Sequence, residues 1–177
     1  MPTIYLDMDG VLADFNTAAR LHFNASREEQ AAADQAGRWP RERWTTIREH
    51  AHFYRTLPKM PQADELVALA RRFRDELNWD LKILTAIPHN NDMHEAFQDK
   101  FEWMGEHYPD IKMHFGPYSE DKQRHAEPGD ILVDDRVSNC REWSAAQGIA
   151  VKVNSGRYQE ALDQLADIFV ELQISRA

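Results

Sequence analysis

Short apolar, β-prone runs alternate with longer stretches of helical periodicity along most of the 177-residue chain, and this alternation restricts the folds open to it. The runs are Thr3-Ile4-Tyr5-Leu6, Leu81-Lys82-Ile83-Leu84-Thr85, Ile111 to Phe115, Ile131-Leu132-Val133 and Ile149 to Val153. Leu66, Val67, Leu69, Ala70, Phe73 and Leu77 mark one amphipathic helix, with Pro61 near its first turn. Met93, Phe97, Phe101 and Met104 predict another between Asp92 and His107, and helices are expected over 139–147 and 158–172. Strands that follow one another through helices form right-handed crossovers, which lay a parallel sheet between two helical layers. The expected class is therefore α/β, a doubly wound parallel sheet.

One stretch breaks the alternation. After a helix expected from Val11 to about Phe23, residues 24–58 are rich in Ala, Arg, Glu and Gln, hold Trp39, Trp44, Phe53 and Tyr54, and contain no strand-like run. They read as a small helical insertion after the first strand, giving a core of 1–15 and 58–177 and a cap of 16–57. A chain of this length accommodates one domain with such an insertion.

The formal charge of −9 disfavours nucleic-acid polymers and anionic membrane surfaces, because long-range repulsion opposes both. Cys140 is the single cysteine, so no internal disulfide forms, and its small apolar side chain suits a buried position. No apolar run approaches the roughly 20 residues of a membrane span, and Met1-Pro2-Thr3-Ile4 does not open a signal peptide; a cytoplasmic location is expected. Oligomeric state is open, and a homodimer is compatible with the sequence.

In a parallel sheet of this kind the ligand lies beyond the carboxyl ends of the strands. Those ends carry Asp7, Asp9, Thr85, Asp134 and Asp135. Four carboxylates brought together repel one another, and a divalent cation resolves the conflict. Oxygen donors without Cys or His point to Mg²⁺. Beside a metal-held phosphate, Asp7 can act as nucleophile, and Asp9, two residues on, can protonate the leaving oxygen and then activate water. Gly10 lets the backbone turn near the phosphate. Thr85 offers a hydroxyl and nearby amides, and Lys122 is the candidate for the remaining positive charge. Taken singly, Asp-x-Asp-Gly is an ordinary turn, Thr85 an ordinary strand residue and Lys122 an ordinary solvated charge. Their joint occurrence, in this order, carries the reading.

These elements resemble the four motifs of the haloacid dehalogenase superfamily of phosphatases, over nearly the whole chain. Asp7-Met8-Asp9-Gly10-Val11-Leu12-Ala13-Asp14-Phe15 is similar to the first motif of the 5′(3′)-deoxyribonucleotidases and their bacterial and phage relatives. Phe53-Tyr54-Arg55-Thr56-Leu57-Pro58 resembles the segment returning from their helical cap, and Asp130-Ile131-Leu132-Val133-Asp134-Asp135-Arg136 their last motif. The resemblance implies Asp7 as nucleophile and Asp9 as acid/base. It implies Mg²⁺ held by the Asp7 carboxylate, the Asp9 carbonyl and an acid of the final pair, Asp135 directly with Asp134 behind it. Phosphate would be bound by Thr85, the Ala86 amide and Lys122, with Gly10 beside it. Phe15, Phe53 and Tyr54 match positions facing base or sugar. Trp39 joins them as a stacking candidate, although buried cap aromatics, Trp44 included, are commonly plain core.

Two departures stand out: Ala86 where Ser is frequent, and His89 where some relatives carry lysine. The pair His50 and His52 reads as surface or packing residues, since positions two apart on a helix face different ways. The implied activity is release of phosphate from a (deoxy)nucleoside monophosphate. Another small phosphomonoester, such as a phosphosugar, is the alternative. A non-enzymatic receiver-like module fits less well, because its acidic pair would sit on the first strand.

Overall fold

The computed structural model describes residues 1–36, 38–88 and 95–176. In chain order the regular elements are β1 (Thr3–Leu6), α1 (Phe15–His22), α2 (Arg27–Ala36), α3 (Trp44–Glu49), α4 (Ala63–Leu77), β2 (Asp80–Thr85), α5 (Ala96–His107), β3 (Lys112–Phe115), β4 (Ile131–Asp134), α6 (Val137–Ala145), β5 (Ile149–Lys152) and α7 (Tyr158–Ile174). Short 3₁₀ segments lie at Arg41–Arg43, Tyr54–Thr56 and Ser119–His125. The five strands make one wholly parallel sheet in the order β3-β2-β1-β4-β5.

β1 is central and buried along its length because Thr3-Ile4-Tyr5-Leu6 presents apolar bulk to both sides. Successive side chains point to opposite faces of a strand. Ile4 and Leu6 enter the large core, with Phe73, Leu165 and Phe169. Tyr5 enters a smaller one with Leu84, Leu132 and Trp143. The aromatic rings of α4 and α7 meet edge-on on the first side, Phe73 to Phe169 at 5.1 Å, and Trp143 of α6 meets Tyr5 at 5.3 Å on the second. The sheet is thus covered on both faces, as the alternation of runs predicts.

Between residues 15 and 56 the described chain is helical or irregular, with no strand. α1 begins at Phe15, four residues later than the apolar spacing predicts. The amides of Val11, Leu12 and Ala13 all turn back onto the Met8 carbonyl, and Asp14 caps the helix by accepting from the Thr17 amide at 3.1 Å.

α5 reverses an expectation. Phe97 and Phe101, taken from the sequence as part of its apolar face, are 54% and 60% exposed. Its buried face is Ala96, Asp99, Lys100, Trp103 and Met104, the i, i+3, i+4, i+7 and i+8 positions from Ala96. Phe97 instead stacks on Phe115 at 4.3 Å. Asp92 and Met93, assigned above to the start of this helix, lie outside the described residues, as does His89.

What orients α5 is Trp103, fully buried, whose indole Nε1 donates to the Leu57 carbonyl at 2.7 Å. Trp103→Phe keeps most of the ring but orphans that carbonyl, so unfolding in denaturant is expected to show a loss of about 1–3 kcal/mol.

Candidate active site

β1 sits between β2 and β4, so the strand order reverses direction beside it, and the crevice beyond its carboxyl end is the natural ligand position. The Asp7 amide extends the ladder by donating to the Val133 carbonyl at 2.9 Å. That bond sets the loop after β1 against the acids at the end of β4. Gly10 has φ +76, and a Cβ there would lie 2.5 Å from Asp135 Oδ2. Glycine is therefore required twice, by backbone conformation and by the approach of the carboxylate. On its far side the loop is stitched to residues 58–60: the Asp14 amide donates to the Pro58 carbonyl at 2.8 Å and the Met60 amide to the Leu12 carbonyl at 2.7 Å.

Asp7 is 6% exposed, with Oδ1 accepting from the Met8 amide at 2.7 Å and Oδ2 2.8 Å from Lys122 Nζ. Lys122, on the Ser119–His125 segment, is buried and also reaches Asp134 Oδ2 at 2.7 Å. Burial works to discharge this lysine, but Asp134 and Asp7 outweigh it and hold the ammonium above the ordinary lysine range. Asp134 further accepts from the Arg136 amide at 2.8 Å and from Asn139 Nδ2 at 2.9 and 3.0 Å. Every partner of its carboxylate is a donor, and burial raises the carboxyl above its usual range against the pull of Lys122. Asp135 contrasts with it: among the described residues nothing donates to its carboxylate. Burial, followed by the charges of Asp134 and Asp7, pushes it up to about 8.

Asp9 is held by a residue that sequence reasoning missed. Lys100, fully buried on α5, places Nζ 2.6 Å from Asp9 Oδ2, 3.0 Å from Thr85 Oγ1 and 2.7 Å from the Ala86 carbonyl. The ammonium also lies 4.8 Å from the centre of the Tyr54 ring. Asp9 Oδ1 is buried and, among the described residues, without a partner. Burial raises the Asp9 carboxyl above its usual range against the pull of Lys100, so it is suited to hold a proton. A signal for Lys100 exists in the sequence, since Ala96, Trp103 and Met104 surround it at helical spacing. A lysine centred in an apolar stripe needs a buried partner.

Asp7, Asp134 and Asp135 each offer an oxygen, all within 4.8 Å of one another. Asp134 is already satisfied by Lys122, Asn139 and the Arg136 amide, so Asp7 and Asp135 remain for a cation. An all-oxygen set of this kind suits a hard divalent ion. His52, Glu95 and Asp99 form a second cluster, but there Arg55 Nε stands 3.4 Å from Asp99 and supplies the positive charge itself.

A cavity of about 970 Å³ opens over these groups. Asp7, Asp9, Gly10, Ala86, Lys122 and Asp135 line it, as do Phe15, Trp39, Trp44 and Tyr54. Thr85, Asp134 and Lys100 are not among the lining residues and form a layer behind them. Phe53 does not line it either: it is buried edge-on to Phe15 at 5.7 Å. Phe15 stacks on Trp44 at 5.7 Å and on Tyr54 at 5.9 Å, while the Trp39 indole donates to Asn16 Oδ1 at 3.1 Å.

Gly10→Ala tests the loop geometry. The strained φ and the displaced Asp135 carboxylate should lower turnover by about 100-fold, because small misplacements of reacting groups are that damaging. A modest drop in thermal midpoint should accompany it, reflecting roughly 1–2 kcal/mol of backbone strain.

The family described as 5′ nucleotidase, deoxy (Pyrimidine), cytosolic type C protein matches residues 1–168. No curated protein is a significant match to the chain. Among solved structures, a dehalogenase superposes with a TM-score of 0.51 at 12% identity, over 89% of this chain and 86% of its own. L-2-haloacid dehalogenase from Xanthobacter autotrophicus gives 0.50 at 15% identity, over 86% and 78%. At such identities the likeness is one of fold, the haloacid dehalogenase fold. Because the family match spans nearly the whole chain, from the Asp7–Gly10 loop through the Asp134-Asp135 pair to α7, the chain belongs to the cytosolic type C 5′-nucleotidase family and is a phosphoric monoester hydrolase.

Proposed function

We propose that the enzyme releases phosphate from a (deoxy)nucleoside monophosphate through an aspartyl-phosphate on Asp7. The observation that carries this reading is the pairing of Asp7 with buried Lys122 at 2.8 Å, in a cavity that also presents Asp9 and the rings of Phe15, Trp39, Trp44 and Tyr54. Asp7 Oδ2, beside the lysine, attacks phosphorus, and the bond to the ester oxygen breaks with its electron pair. Lys122 offsets the charge on the phosphoryl oxygens, and the Gly10 and Ala86 backbone borders them. Asp9 gives its proton to the leaving oxygen, then takes one from the water that attacks the phosphoaspartate, freeing Asp7 and inorganic phosphate. The Asp7 carboxylate, the Asp9 carbonyl and Asp135 would hold Mg²⁺, with Asp134 bracing Lys122 behind them. When bound, that ion neutralises phosphate charge and relieves the repulsion among the acids.

Residues 16–57 act as a cap over the site, and Trp44, half-buried on the cavity wall, is the ring with most surface left for a base; Phe15, Trp39 and Tyr54 support it. Base–aromatic stacking is worth about 1–3 kcal/mol. No described helix is long and apolar enough to cross a membrane, and the cytosolic description of the family supports a cytoplasmic enzyme.

Phosphate release measured across nucleoside monophosphates and phosphosugars with Mg²⁺ should favour the nucleotides; turnover of phosphosugars alone would sink the nucleotide assignment. Asp7→Asn should reduce turnover to background while circular dichroism stays native, and hydrolysis at the parental rate would remove Asp7 as nucleophile. Chelation with EDTA should abolish turnover and added Mg²⁺ restore it.

A further inference from the structure

Charge is matched at the centre of the cavity and unmatched along one flank. Lys122 is committed to Asp7 and Asp134. Outside the catalytic acids the lining carboxylates are Asp14, which caps α1, and Asp34, whose two oxygens accept from Asn16 Nδ2 at 2.6 Å and Ser155 Oγ at 2.8 Å. The turn between β5 and α7 lines the cavity without a break from Lys152 to Gln159, and Arg136, after the neighbouring strand, joins it. Lys152 Nζ donates to Asn154 Oδ1, and the Arg136 guanidinium reaches Ser119 Oγ at 3.4 Å. Neither forms an ion pair among the described residues. Arg157 pairs with Glu160 at 3.2 Å, but both side chains are more than half exposed, and such a pair contributes little. A chain of formal charge −9 thus turns a group of unmatched cations toward its own cavity.

Strand register places these cations relative to the reaction. Leu6 pairs with Val133, and Asp134, the next residue, pairs with Lys152. The Asp7 amide donates to the Val133 carbonyl at 2.9 Å and the Val153 amide to the Asp134 carbonyl at 3.0 Å, so the ladder holds on both sides. Asp7, Asp134 and Lys152 therefore form one row across three strands, and at the ordinary strand spacing the Lys152 backbone lies about 10 Å from that of Asp7. Two phosphates sharing one oxygen are closer together than this, whereas phosphates on opposite sides of a ribose are well separated. We propose that the Lys152–Arg157 turn, with Arg136 beside it, binds a second phosphate carried on the ribose, which makes nucleoside 3′,5′-bisphosphates the preferred substrate class. This rests on the nucleotidase reading above. With one phosphate at Asp7 and the base among the cap rings, the ribose oxygen opposite the reacting ester faces the turn. Asp7 takes one phosphoryl group and passes it to water; the second phosphate stays esterified, and the product leaves as a nucleoside monophosphate. An ammonium has three N–H donors, so Lys152 keeps two for that phosphate beyond the one given to Asn154.

The test compares first-phosphate release, with Mg²⁺, from a nucleoside 3′,5′-bisphosphate, the 3′- and 5′-monophosphates of the same nucleoside, and its 5′-diphosphate. Wild-type kcat/KM should be about 10-fold higher on the bisphosphate than on either monophosphate, as charge-assisted contacts at a partly exposed site allow. The gain should lie in KM with kcat unchanged, because a contact remote from the breaking bond is equally strong in the ground and transition states. Lys152→Gln combined with Arg157→Gln should erase that advantage and leave kcat/KM on the monophosphates within about threefold of wild type, since neither side chain serves the reacting phosphate. Should the double variant fail to fold, Arg157→Gln alone, an exposed change, should still remove about threefold of the advantage. A wild type without preference for the bisphosphate, equal losses on mono- and bisphosphates in the variants, or an equal gain on the 5′-diphosphate would overturn the assignment. Wild-type enzyme that hydrolyses phosphosugars and none of these nucleotides would instead overturn the nucleotidase reading, and this inference with it.

Discussion

Four carboxylates gathered at the ends of two neighbouring strands repel one another, and the fold answers that repulsion with two lysines buried from opposite directions. Lys122 comes from the segment before β4 and spans Asp7 and Asp134. Lys100 comes from α5 and takes Asp9. Each ammonium, isolated in the interior, would be strongly unfavourable, as would each acid. Together they make a lattice of alternating charge in which Asp135 alone accepts no hydrogen bond among the described residues. That imbalance leaves a place for a divalent cation, and it also explains why the elements carrying the lysines must pack in one arrangement.

The sheet supplies the geometry that this charge lattice demands. Leu6 pairs with Val133, so the residues that follow, Asp7 on one strand and Asp134 on the other, emerge side by side. On the other flank Leu6 pairs with Ile83, which brings Thr85 and Ala86 level with the loop and gives Lys100 its second and third acceptors. A shift of two residues in either register would preserve the apolar pattern of the faces and destroy the site.

Much of this was legible in the sequence because it is written locally. Thr3 to Leu6 followed by Asp-Met-Asp-Gly, and Ile131 to Val133 followed by two acids, are strand and site in one short span. The helical character of residues 24–58 was equally plain, since nothing there alternates. What escaped was non-local. Phe97 and Phe101 outweighed Lys100 as markers of the buried face of α5, because two phenylalanines are more apolar than any face holding a lysine. The lysine is buried only because Asp9, ninety-one residues earlier, meets it. The Gly10 turn was visible, but the second demand on it, the nearness of Asp135, arises only once β1 and β4 pair. Phe53 and Tyr54, adjacent in sequence, part company in space, and only the latter reaches the cavity.

The stitching of residues 12–14 to 58–60 has a consequence for how the helical excursion relates to the rest. The two chain crossings, one leaving and one returning, are bonded to each other as a narrow antiparallel neck, with Ala13 opposite Lys59. Everything between them is a loop closed at its base, and the entropy of closing it is met at the neck, varying only slowly with the length enclosed. The catalytic loop therefore does not register how many helices hang beyond it. The return leg is nonetheless more than a tether, because Leu57 accepts from Trp103 and the Tyr54 ring covers the Lys100 ammonium: any other insert closed at this neck would have to keep residues 53–57 for α5 to stay where it is.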